Sequence, residues 1–390
     1  MVSRDPLSPE PVSFPADPLP VAREKVDGRR VRVAGRTWLQ FAGCDYLGLG
    51  RHPAVAAAAR EAATRFGLGV AASRTTTGNH PLYEALEAAL TSFARSPTAL
   101  LTGAGYLANL AVAQVLAGRV GAVWIDEQAH PALFDAARLG EASVRTFRHR
   151  DPDDLRRRLR RSRRRGRVAV LTDGVFPLTG EVAPLAGLLE VLPPDGVLWV
   201  DDAHGLGVLG TTGAGTPEAA GAAVVEDARL IRTASLSKAL GGHGGVILGP
   251  AWLREEVIRR SRLFRASTPP PLPAAAGVLA AVRWLQREDG LLAQLRQRIA
   301  LARRAFARLD LPVPETATPV LSLRAASSAR AAAIQSALAA EGILAEPANY
   351  PGTEQGGLFR FAISRAHTPG DIRRLERGLA SGLRSAASSP

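Results

Sequence analysis

Short apolar runs alternate with helix-forming stretches through the middle of this chain. His52-Pro53 opens an alanine-rich helix that ends near Phe66-Gly67, and Pro81 opens a second helix that runs to about Phe93. The apolar runs are short enough to be buried strands, and they are Val123–Ile125, Val168–Leu171, Val197–Val200, Leu230-Ile231 and Val246–Leu248. This alternation predicts an α/β fold, with a mainly parallel sheet that has helices on both faces.

Prolines indicate where the chain divides. Pro269-Pro270-Pro271 and Pro273 interrupt the alternating pattern, and 390 residues exceed what one hydrophobic core usually supports. We therefore expect a large domain over residues 41–268 and a smaller C-terminal α+β domain over 269–390, which begins with a long helix from about Ala274. Residues 1–40 are expected to form an N-terminal tail and arm. The first 20 are proline-rich and lack the apolar core of a signal peptide, which predicts a mobile tail.

Composition indicates a cellular compartment and excludes an intrachain disulfide. Hydrophobic residues make up 46% of the chain, and Cys44 is its single cysteine, which fits a reducing cytoplasm. The stretch 99–118 carries no charge and is long enough to raise the question of a membrane span. Its glycines and polar residues favour a loop followed by a buried helix instead.

The net charge of +13 suggests an anionic partner. Arginines concentrate in the run Arg156–Arg167, where Asp153-Asp154 would begin a helix. No aromatic side chain interleaves this run, so it lacks a platform on which bases could stack. We therefore expect a solvated helix face rather than a nucleic-acid site, with a field that attracts an anionic partner.

Lysine usage is the most informative feature of the composition. Of the 49 basic residues only Lys25 and Lys238 are lysines, and Lys238 lies in the segment Ser235–Gly242. A guanidinium stays protonated at ordinary pH, whereas a desolvated lysine amine loses its proton and attacks a carbonyl carbon. Lys238 is therefore a candidate for Schiff-base chemistry. The alternative is an ordinary surface or capping residue.

An acidic pair follows one predicted strand, in the sequence Asp201-Asp202-Ala203-His204-Gly205. The carboxyl ends of parallel strands are where open α/β sheets bind ligands. Asp201 would keep a pyridine nitrogen protonated, Ala203 would lie under the ring, and His204 would reach a ring substituent. The run Leu230-Ile231 leads to Lys238 and brings the lysine beside this aspartate. A lysine and an acid for the ring nitrogen are what pyridoxal 5'-phosphate requires.

A longer series of motifs resembles the α-oxoamine synthases, a family of fold-type-I (aspartate aminotransferase-like) pyridoxal-phosphate enzymes. The similarity runs from about Phe41 to about Leu379 and includes Asp45–Leu49, Ser73-Arg74, Thr77-Gly78, Leu86-Glu87, Gly105–Asn109, Asp126–His130, Asp173–Phe176, Asp201–Gly205, Ser235–Gly242, Ser267–Pro270 and Phe359-Arg360. The resemblance implies pyridoxal phosphate as cofactor, a homodimer and no metal ion.

The same resemblance implies roles for residues around the cofactor. Gly105 and Tyr106 would bind the phosphate at a helix start, where backbone N–H groups favour an anion. Ser235 would donate a hydroxyl to that phosphate, and Thr268 would reach the phosphate held by the partner subunit. His130 would stack on the upper face of the ring.

For the substrate, the resemblance points to Arg360, Cys44 and Ser73. Arg360 lies in an apolar run and needs an anionic partner, which in the family is the amino-acid carboxylate. The alternative partner is a protein carboxylate such as Glu346. An edge-strand position is a further alternative.

Three departures from the family concern specificity. Cys44 replaces the asparagine of the Asn-Asp-Tyr-Leu-Gly motif, and Pro177 replaces a serine near the cofactor. Gly356-Gly357 stands where relatives often carry another arginine. These changes bear on the amino acid and the acyl group more than on the cofactor.

The implied reaction is a decarboxylative condensation of an amino acid with an acyl thioester of CoA or carrier protein, giving an α-amino ketone. Lys238 would be base and nucleophile, with Asp201, His130 and His204 as the other catalytic residues. The motifs are nearest to the branch that joins alanine to a pimeloyl thioester for biotin. A secondary-metabolic synthase or a 2-amino-3-ketobutyrate CoA ligase-like enzyme remains open.

Two readings lie outside this family. The glycines of Gly205–Gly210 are a weak match to a dinucleotide-binding turn, because Asp201–His204 intervenes after the strand and a poor helix start follows. A basic nucleic-acid-binding protein would rest on the arginines alone.

Overall fold

The computed structural model describes residues 21–140, 142–162, 166–288, 290–348 and 357–387. The predicted mobile tail, residues 1–20, lies outside this part of the chain. So do Arg163, Arg164 and Arg165 of the arginine-rich run, and Gly356.

Thirteen strands lie within the described residues. They are β1 Glu24–Lys25, β2 Arg30–Val33, β3 Arg36–Gln40, β4 Thr98–Thr102, β5 Val120–Asp126, β6 Ser143–Phe147, β7 Arg167–Asp173, β8 Val197–Asp201, β9 Leu230–Ser235, β10 Gly245–Gly249, β11 Val320–Arg324, β12 Ile343–Leu344 and β13 Leu358–Ala362.

Fourteen α-helices accompany these strands in the described chain, together with a 3-10 turn at Leu49–Arg51. They are α1 Pro53–Phe66, α2 Pro81–Phe93, α3 Gly105–Leu116, α4 Pro131–Leu139, α5 Pro152–Arg161, α6 Leu185–Val191, α7 Thr216–Ala220, α8 Ala222–Val225, α9 Ala251–Arg260, α10 Arg262–Arg265, α11 Leu272–Arg287, α12 Gly290–Ala307, α13 Ser328–Ala340 and α14 Pro369–Ala387.

The central sheet has seven strands in the order β4-β10-β9-β8-β7-β5-β6. Strand β10 runs antiparallel to both of its neighbours, and β9, β8, β7, β5 and β6 are mutually parallel. Strands β7 and β8 are buried almost throughout, which is why their sequences are continuous apolar runs rather than alternating ones. The mainly parallel α/β sheet is thus confirmed, with one antiparallel strand that the sequence did not distinguish.

Histidine-proline pairs begin three of the helices. His52, His80 and His130 are the N-cap residues of α1, α2 and α4, and each ring accepts a hydrogen bond from the backbone N–H two residues ahead. A proline at the first helical position needs no hydrogen-bond partner, so the pair starts a helix without loss. The bounds predicted for α1 and α2 agree with the structure.

The uncharged stretch 99–118 divides differently from the expectation. Its first residues belong to strand β4 rather than to a loop, and α3 then packs as a buried helix against the sheet. Among the helices that the structure describes, none is long and apolar enough to cross a membrane.

Two smaller sheets bring the ends of the chain together. Strands β1, β2 and β3 pair in sequence, and β12 adds to β3 in parallel, so the N-terminal arm packs on C-terminal residues. Strands β11 and β13 form an antiparallel pair in which Ser322 is opposite Arg360. The long helix expected from Ala274 is α11, which starts two residues earlier. A domain boundary at residue 268 stays a prediction.

Candidate active site

One pocket lies at the carboxyl ends of the parallel strands, beside the start of α3. Its lining residues include most of the predicted site: Gly105, Tyr106, Asn109, His130, Ala132, Asp173, Asp201, Ala203, His204, Ser235 and Lys238. Asp173, Asp201 and Ser235 are the last residues of β7, β8 and β9. The sheet therefore carries three of these groups to one edge, as the position of ligand sites in α/β folds predicts.

Asp201 is held by a chain of buried polar groups. Asn109 Nδ2 donates to Asp201 Oδ2 over 2.7 Å, and Thr233 Oγ1 donates to Asn109 Oδ1 over 2.5 Å. The backbone N–H of Ala203 donates to the other carboxylate oxygen. Both Asn109 and Thr233 are fully buried, so this chain fixes the direction of the carboxylate towards the pocket.

Lys238 lies in the connection between β9 and β10 and is half-buried. The turn closes tightly because Gly241 has a φ of 67°, and a Cβ there would lie 2.2 Å from the backbone nitrogen of Gly50. Ser235 Oγ is 2.7 Å from Ser237 Oγ. The glycines that surround the lysine in the sequence therefore shape the turn that delivers it to the pocket.

The N-terminus of α3 faces the same turn. Its N-cap, Ala104, has no side-chain hydrogen bond to offer, so the first backbone N–H groups stay available for an anion. A Cβ on Gly105 would lie 2.9 Å from the Cβ of Ser235, so only glycine lets the helix start approach strand β9 this closely. Tyr106 lines the pocket, but its hydroxyl donates to Asp135.

His130 is positioned by two contacts that leave one ring nitrogen for the pocket. Its backbone N–H donates to Asp173 Oδ2 over 2.6 Å, and its Nδ1 accepts from the backbone N–H of Ala132 over 3.2 Å. Burial, helped by the charge of Lys238, lowers the pKa of His130 despite the opposing effect of Asp201. The imidazole is therefore biased towards its neutral form.

Asp173 is fully enclosed next to His130. Burial and the nearby charge of Asp201 raise the pKa of Asp173 well above the usual range. The carboxyl groups of Asp173 and Asp201 thus lie at the ends of adjacent strands. The surroundings of Asp173 make its ionised form less favourable than it would be in water.

His204 and Arg360 meet through a buried tyrosine. Tyr46 Oη is 2.7 Å from His204 Nδ1, and Arg360 Nη2 lies 3.1 Å from the same oxygen. Burial, followed by the charges of Lys238 and Arg360, lowers the pKa of His204 well below its usual value. His204 is therefore a neutral imidazole at the edge of the pocket.

Arg360 contacts a carbonyl oxygen, a thiol and a phenol. Its Nε donates to the carbonyl oxygen of Pro177, and Nη2 also lies 3.7 Å from Cys44 Sγ. No carboxylate of the described residues contacts it. Glu346, the alternative partner, is bonded to Arg23 instead. Cys44 and Pro177, two departures from the family, are thus both direct neighbours of Arg360.

Four predicted residues do not line this pocket: Arg360 and Cys44, which contact each other, and Ser73 and Thr268. Ser73 Oγ bonds to Thr75, and its residue does not line the pocket. Thr268 is exposed, and its carbonyl oxygen lies near Gly103 at the start of the α3 turn. The substrate role of Ser73 and the cross-subunit role of Thr268 stay predictions.

Three residues of the site were not predicted as functional. Asn109, Tyr46 and Asp173 all fall within the motifs of the family resemblance, which was the available signal, but nothing in their local sequence indicates their partners. The structure shows that Asn109 orients Asp201, Asp173 holds His130, and Tyr46 joins His204 to Arg360.

Residues 36–379 match the family described as aminotransferase class I and II. The chain belongs to this family.

Individual relatives narrow the comparison. The chain is 36% identical over 358 residues to an 8-amino-7-oxononanoate synthase from Nitrosococcus oceani, which covers 91% of this chain and 94% of the relative. It is 39% identical to the 8-amino-7-oxononanoate synthase of Cellvibrio japonicus, covering 88% of this chain and 86% of the relative. A solved serine palmitoyltransferase from S. paucimobilis with bound PLP-myriocin aldimine superposes with a TM-score of 0.87 at 25% identity, covering 94% of each chain.

Proposed function

We propose that this chain is a pyridoxal-phosphate-dependent α-oxoamine synthase, which condenses an amino acid with an acyl thioester and releases CO2 to give an α-amino ketone. The observation that carries the proposal is that Lys238 and Asp201 line one pocket beside the free N-terminus of α3. The specific assignment is 8-amino-7-oxononanoate synthase, with alanine and a pimeloyl thioester as substrates, because that is the name of the relatives at 36–39% identity.

The residues present fit pyridoxal phosphate. Lys238 would supply the amine that holds the cofactor, Asp201 would keep its ring nitrogen protonated, and the N–H groups of Gly105 and Tyr106 with the Ser235 hydroxyl would receive the phosphate. Ala203 and His130 line the space for the two faces of the ring. When bound, the cofactor withdraws electrons from the Cα of the amino acid and stabilises a carbanion there.

Each protein group then has a defined task. Lys238 would act as the base that takes the Cα proton of the amino acid and later returns a proton there. Asp201 would keep the ring nitrogen protonated, and Asn109 orients its carboxylate towards the pocket. His130 would cover one face of the ring, and His204 would donate a hydrogen bond to the ring oxygen. Since both imidazoles are biased towards the neutral form, neither adds a positive charge that would compete with the substrate's amine.

Arg360 is proposed to bind the amino-acid carboxylate. Its Nε donates to Pro177 and its Nη2 contacts both Tyr46 and Cys44, which leaves Nη1 to receive an anion. Cys44 and Ser73 are proposed as further substrate contacts. The alternative substrates are those of a secondary-metabolic synthase or of a 2-amino-3-ketobutyrate CoA ligase-like enzyme, and Cys44 beside Arg360 is the feature that favours a changed amino acid.

The proposed assembly is a cytoplasmic homodimer. Thr268 is exposed next to the phosphate-binding turn, where a second copy could present its own Thr268 to this site. The division into an arm (1–40), a large domain (41–268) and a small domain (269–390) belongs to the same proposal, as does the absence of nucleic-acid and metal partners.

Absorbance and product analysis test the function together. Purified protein should be yellow from the lysine-bound cofactor, and a panel of amino acids and acyl thioesters should give one α-amino ketone by mass spectrometry, with alanine and a pimeloyl thioester as the expected pair. Lys238→Arg should keep the fold and lose the product, because a guanidinium cannot replace the amine. A colourless protein that binds a nicotinamide dinucleotide would support the dehydrogenase reading instead.

Arg360→Ala tests the substrate assignment. The variant should bind the amino acid more weakly by about 2–5 kcal/mol, while its affinity for the thioester changes little. Arg360→Lys should restore only part of the loss, since a point charge cannot reproduce a two-pronged contact. An Arg360→Ala enzyme with unchanged amino-acid dependence would contradict the assignment.

A further inference from the structure

Tyr46 occupies a position that the proposed reaction does not use. It is 1% exposed, and its hydroxyl touches both His204 Nδ1 and Arg360 Nη2. These two neighbours have different proposed ligands, since His204 lines the pocket proposed for the cofactor and Arg360 is proposed to bind the amino-acid carboxylate. One phenol therefore joins the cofactor side of the pocket to the substrate side.

The direction of each hydrogen bond around Tyr46 follows from counting donors. A guanidinium has no acceptor, so Arg360 donates to the phenol oxygen. Burial raises the pKa of Tyr46 far above its ordinary value, so the phenol keeps its single hydrogen. That hydrogen has two acceptors within reach, His204 Nδ1 and the sulfur of Cys44. A thiol sulfur is the weaker acceptor, so the hydrogen points to the imidazole nitrogen.

Counting donors and acceptors also determines which nitrogen of the His204 imidazole carries the proton. Burial and neighbouring positive charges lower its pKa well below the usual value, so the ring carries one proton. Nδ1 accepts from Tyr46, which places that proton on Nε2. His204 lines the pocket together with Lys238 and Asp201. The nitrogen that remains for a ligand is therefore a donor.

We propose that Tyr46 is a positioning residue that fixes His204 as the Nε2–H tautomer and couples this donor to the guanidinium of Arg360. The inference rests on the proposed function for its consequence: an Nε2–H group stabilises a negative charge on the ring oxygen of pyridoxal phosphate. His130 reaches the same tautomer by a different route, because the backbone N–H of Ala132 occupies its Nδ1. A backbone group sets one imidazole of the pocket and a phenol sets the other.

The direct test is the protonation of His204 in solution. Full-length protein labelled with 15N-histidine, with and without cofactor, should show His204 with a protonated Nε2 and an unprotonated Nδ1 across neutral pH. His204→Gln identifies the signal among the seven histidines. In Tyr46→Phe the resonance of His204 Nδ1 should shift to the position of an imidazole nitrogen that accepts no hydrogen bond. The opposite tautomer, or a doubly protonated ring, in the wild-type protein would overturn the inference.

A matched control separates positioning from packing. Tyr83 is likewise buried, and its hydroxyl donates to the carbonyl of Pro270 over 2.8 Å, away from His204. Tyr83→Phe should lose a similar amount of stability and leave the His204 signal unchanged. If Tyr83→Phe moved that signal as much as Tyr46→Phe, the effect would be a general loosening of the core and the inference would be wrong.

Enzyme measurements extend the test to both ends of the link. In Tyr46→Phe the ring-oxygen titration seen in the cofactor absorbance should move to higher pH, and the amino-acid KM should rise about tenfold, the loss of one hydrogen bond to a charged group. The KM of the thioester should stay near the wild-type value. Failure of the proposed function would appear as absent colour in the wild type, whereas failure of this inference would leave the colour and move neither quantity.

Discussion

Asp201 and Asp202 are consecutive, both buried, and used in opposite ways. Asp202 is enclosed by protein groups: Arg232 Nη2 lies 3.0 Å from Oδ2, and Thr216 Oγ1 donates to Oδ1 over 2.6 Å. Asp201 receives one side-chain donor, Asn109, and faces the pocket that contains Lys238. One residue of this acidic pair is therefore enclosed by protein groups while the other lines the pocket, and only their hydrogen-bond partners show the difference.

The largest expected effect is on turnover in Asp201→Asn. The amide keeps the shape and still accepts from Asn109, but it cannot hold a proton on the ring nitrogen by charge. We expect kcat to fall at least about 100-fold, the scale of losing an acid–base group, with little change in the free energy of unfolding. Asp153→Asn, the same change at an exposed acid, serves as control in the steady-state assay. Wild-type turnover in Asp201→Asn would remove Asp201 from the catalytic set.

For Asp202→Ala the effect should fall on stability. Removing the carboxylate leaves Arg232, which is 3% exposed, as an uncompensated buried charge. The free energy of unfolding in urea should drop by about 3–5 kcal/mol. Glu341→Ala, which breaks the exposed pair with Arg377, should cost less than about 1 kcal/mol. A small loss of unfolding free energy in Asp202→Ala would mean that the Asp202–Arg232 ion pair does not stabilise the fold as we describe.

Asn109→Ala probes the support of Asp201. It removes the one side-chain donor to the Asp201 carboxylate and the acceptor of the Thr233 hydroxyl, which should cost about 1–3 kcal/mol of stability and weaken cofactor binding. Asn79→Ala is the matched control, because Asn79 is exposed and donates to Glu84. Equal losses in the two variants would contradict the proposed support.

Asp126, a third buried aspartate at the end of a parallel strand, makes the stability of the fold depend on pH through His149. His149 lies 2.9 Å from Asp126 and 3.2 Å from Glu181. Burial opposes protonation of His149, but these two acids outweigh it and raise its pKa. A raised folded pKa stabilises the fold fully below the unfolded value, about 6.5, and this contribution is lost as the pH rises through the folded pKa.

The measurement is the difference in unfolding free energy between wild type and His149→Gln over a pH series. The difference should be largest below about pH 6.5 and should shrink above it. Taking the difference removes the contributions of His130, His204 and His367, whose pKa values are lowered and which act in the opposite direction. A difference that is constant with pH would exclude the linkage.

The sequence predicted the parts of this site whose signal lies in a few neighbouring residues. Lys238 stands out because the chain otherwise uses arginine, and Asp201 because it ends a continuous apolar run that parallel sheets place at a ligand-binding edge. The helices that begin at His-Pro pairs were also predictable from local sequence, because an N-cap residue and a proline both determine the start of a helix within its first turn.

The remainder depends on contacts that no local pattern encodes. Asn109 and Asp201 are 92 residues apart, and Tyr46 and His204 are 158 apart, so their pairing exists only once the sheet has formed. The N-terminal arm pairs with β12 near the other end of the chain for the same reason. The role of Thr268 depends on a second copy of the chain and stays a prediction.

Borohydride reduction followed by peptide mapping tests the central claim most directly, that Lys238 and Asp201 form a pyridoxal-phosphate site. Reduction converts the linkage between the lysine amine and the cofactor's carbonyl carbon into a stable amine, and the chain offers only two lysines to carry it. We predict that the cofactor mass appears on the peptide that contains Lys238. Label on the Lys25 peptide, or on neither, would contradict the account.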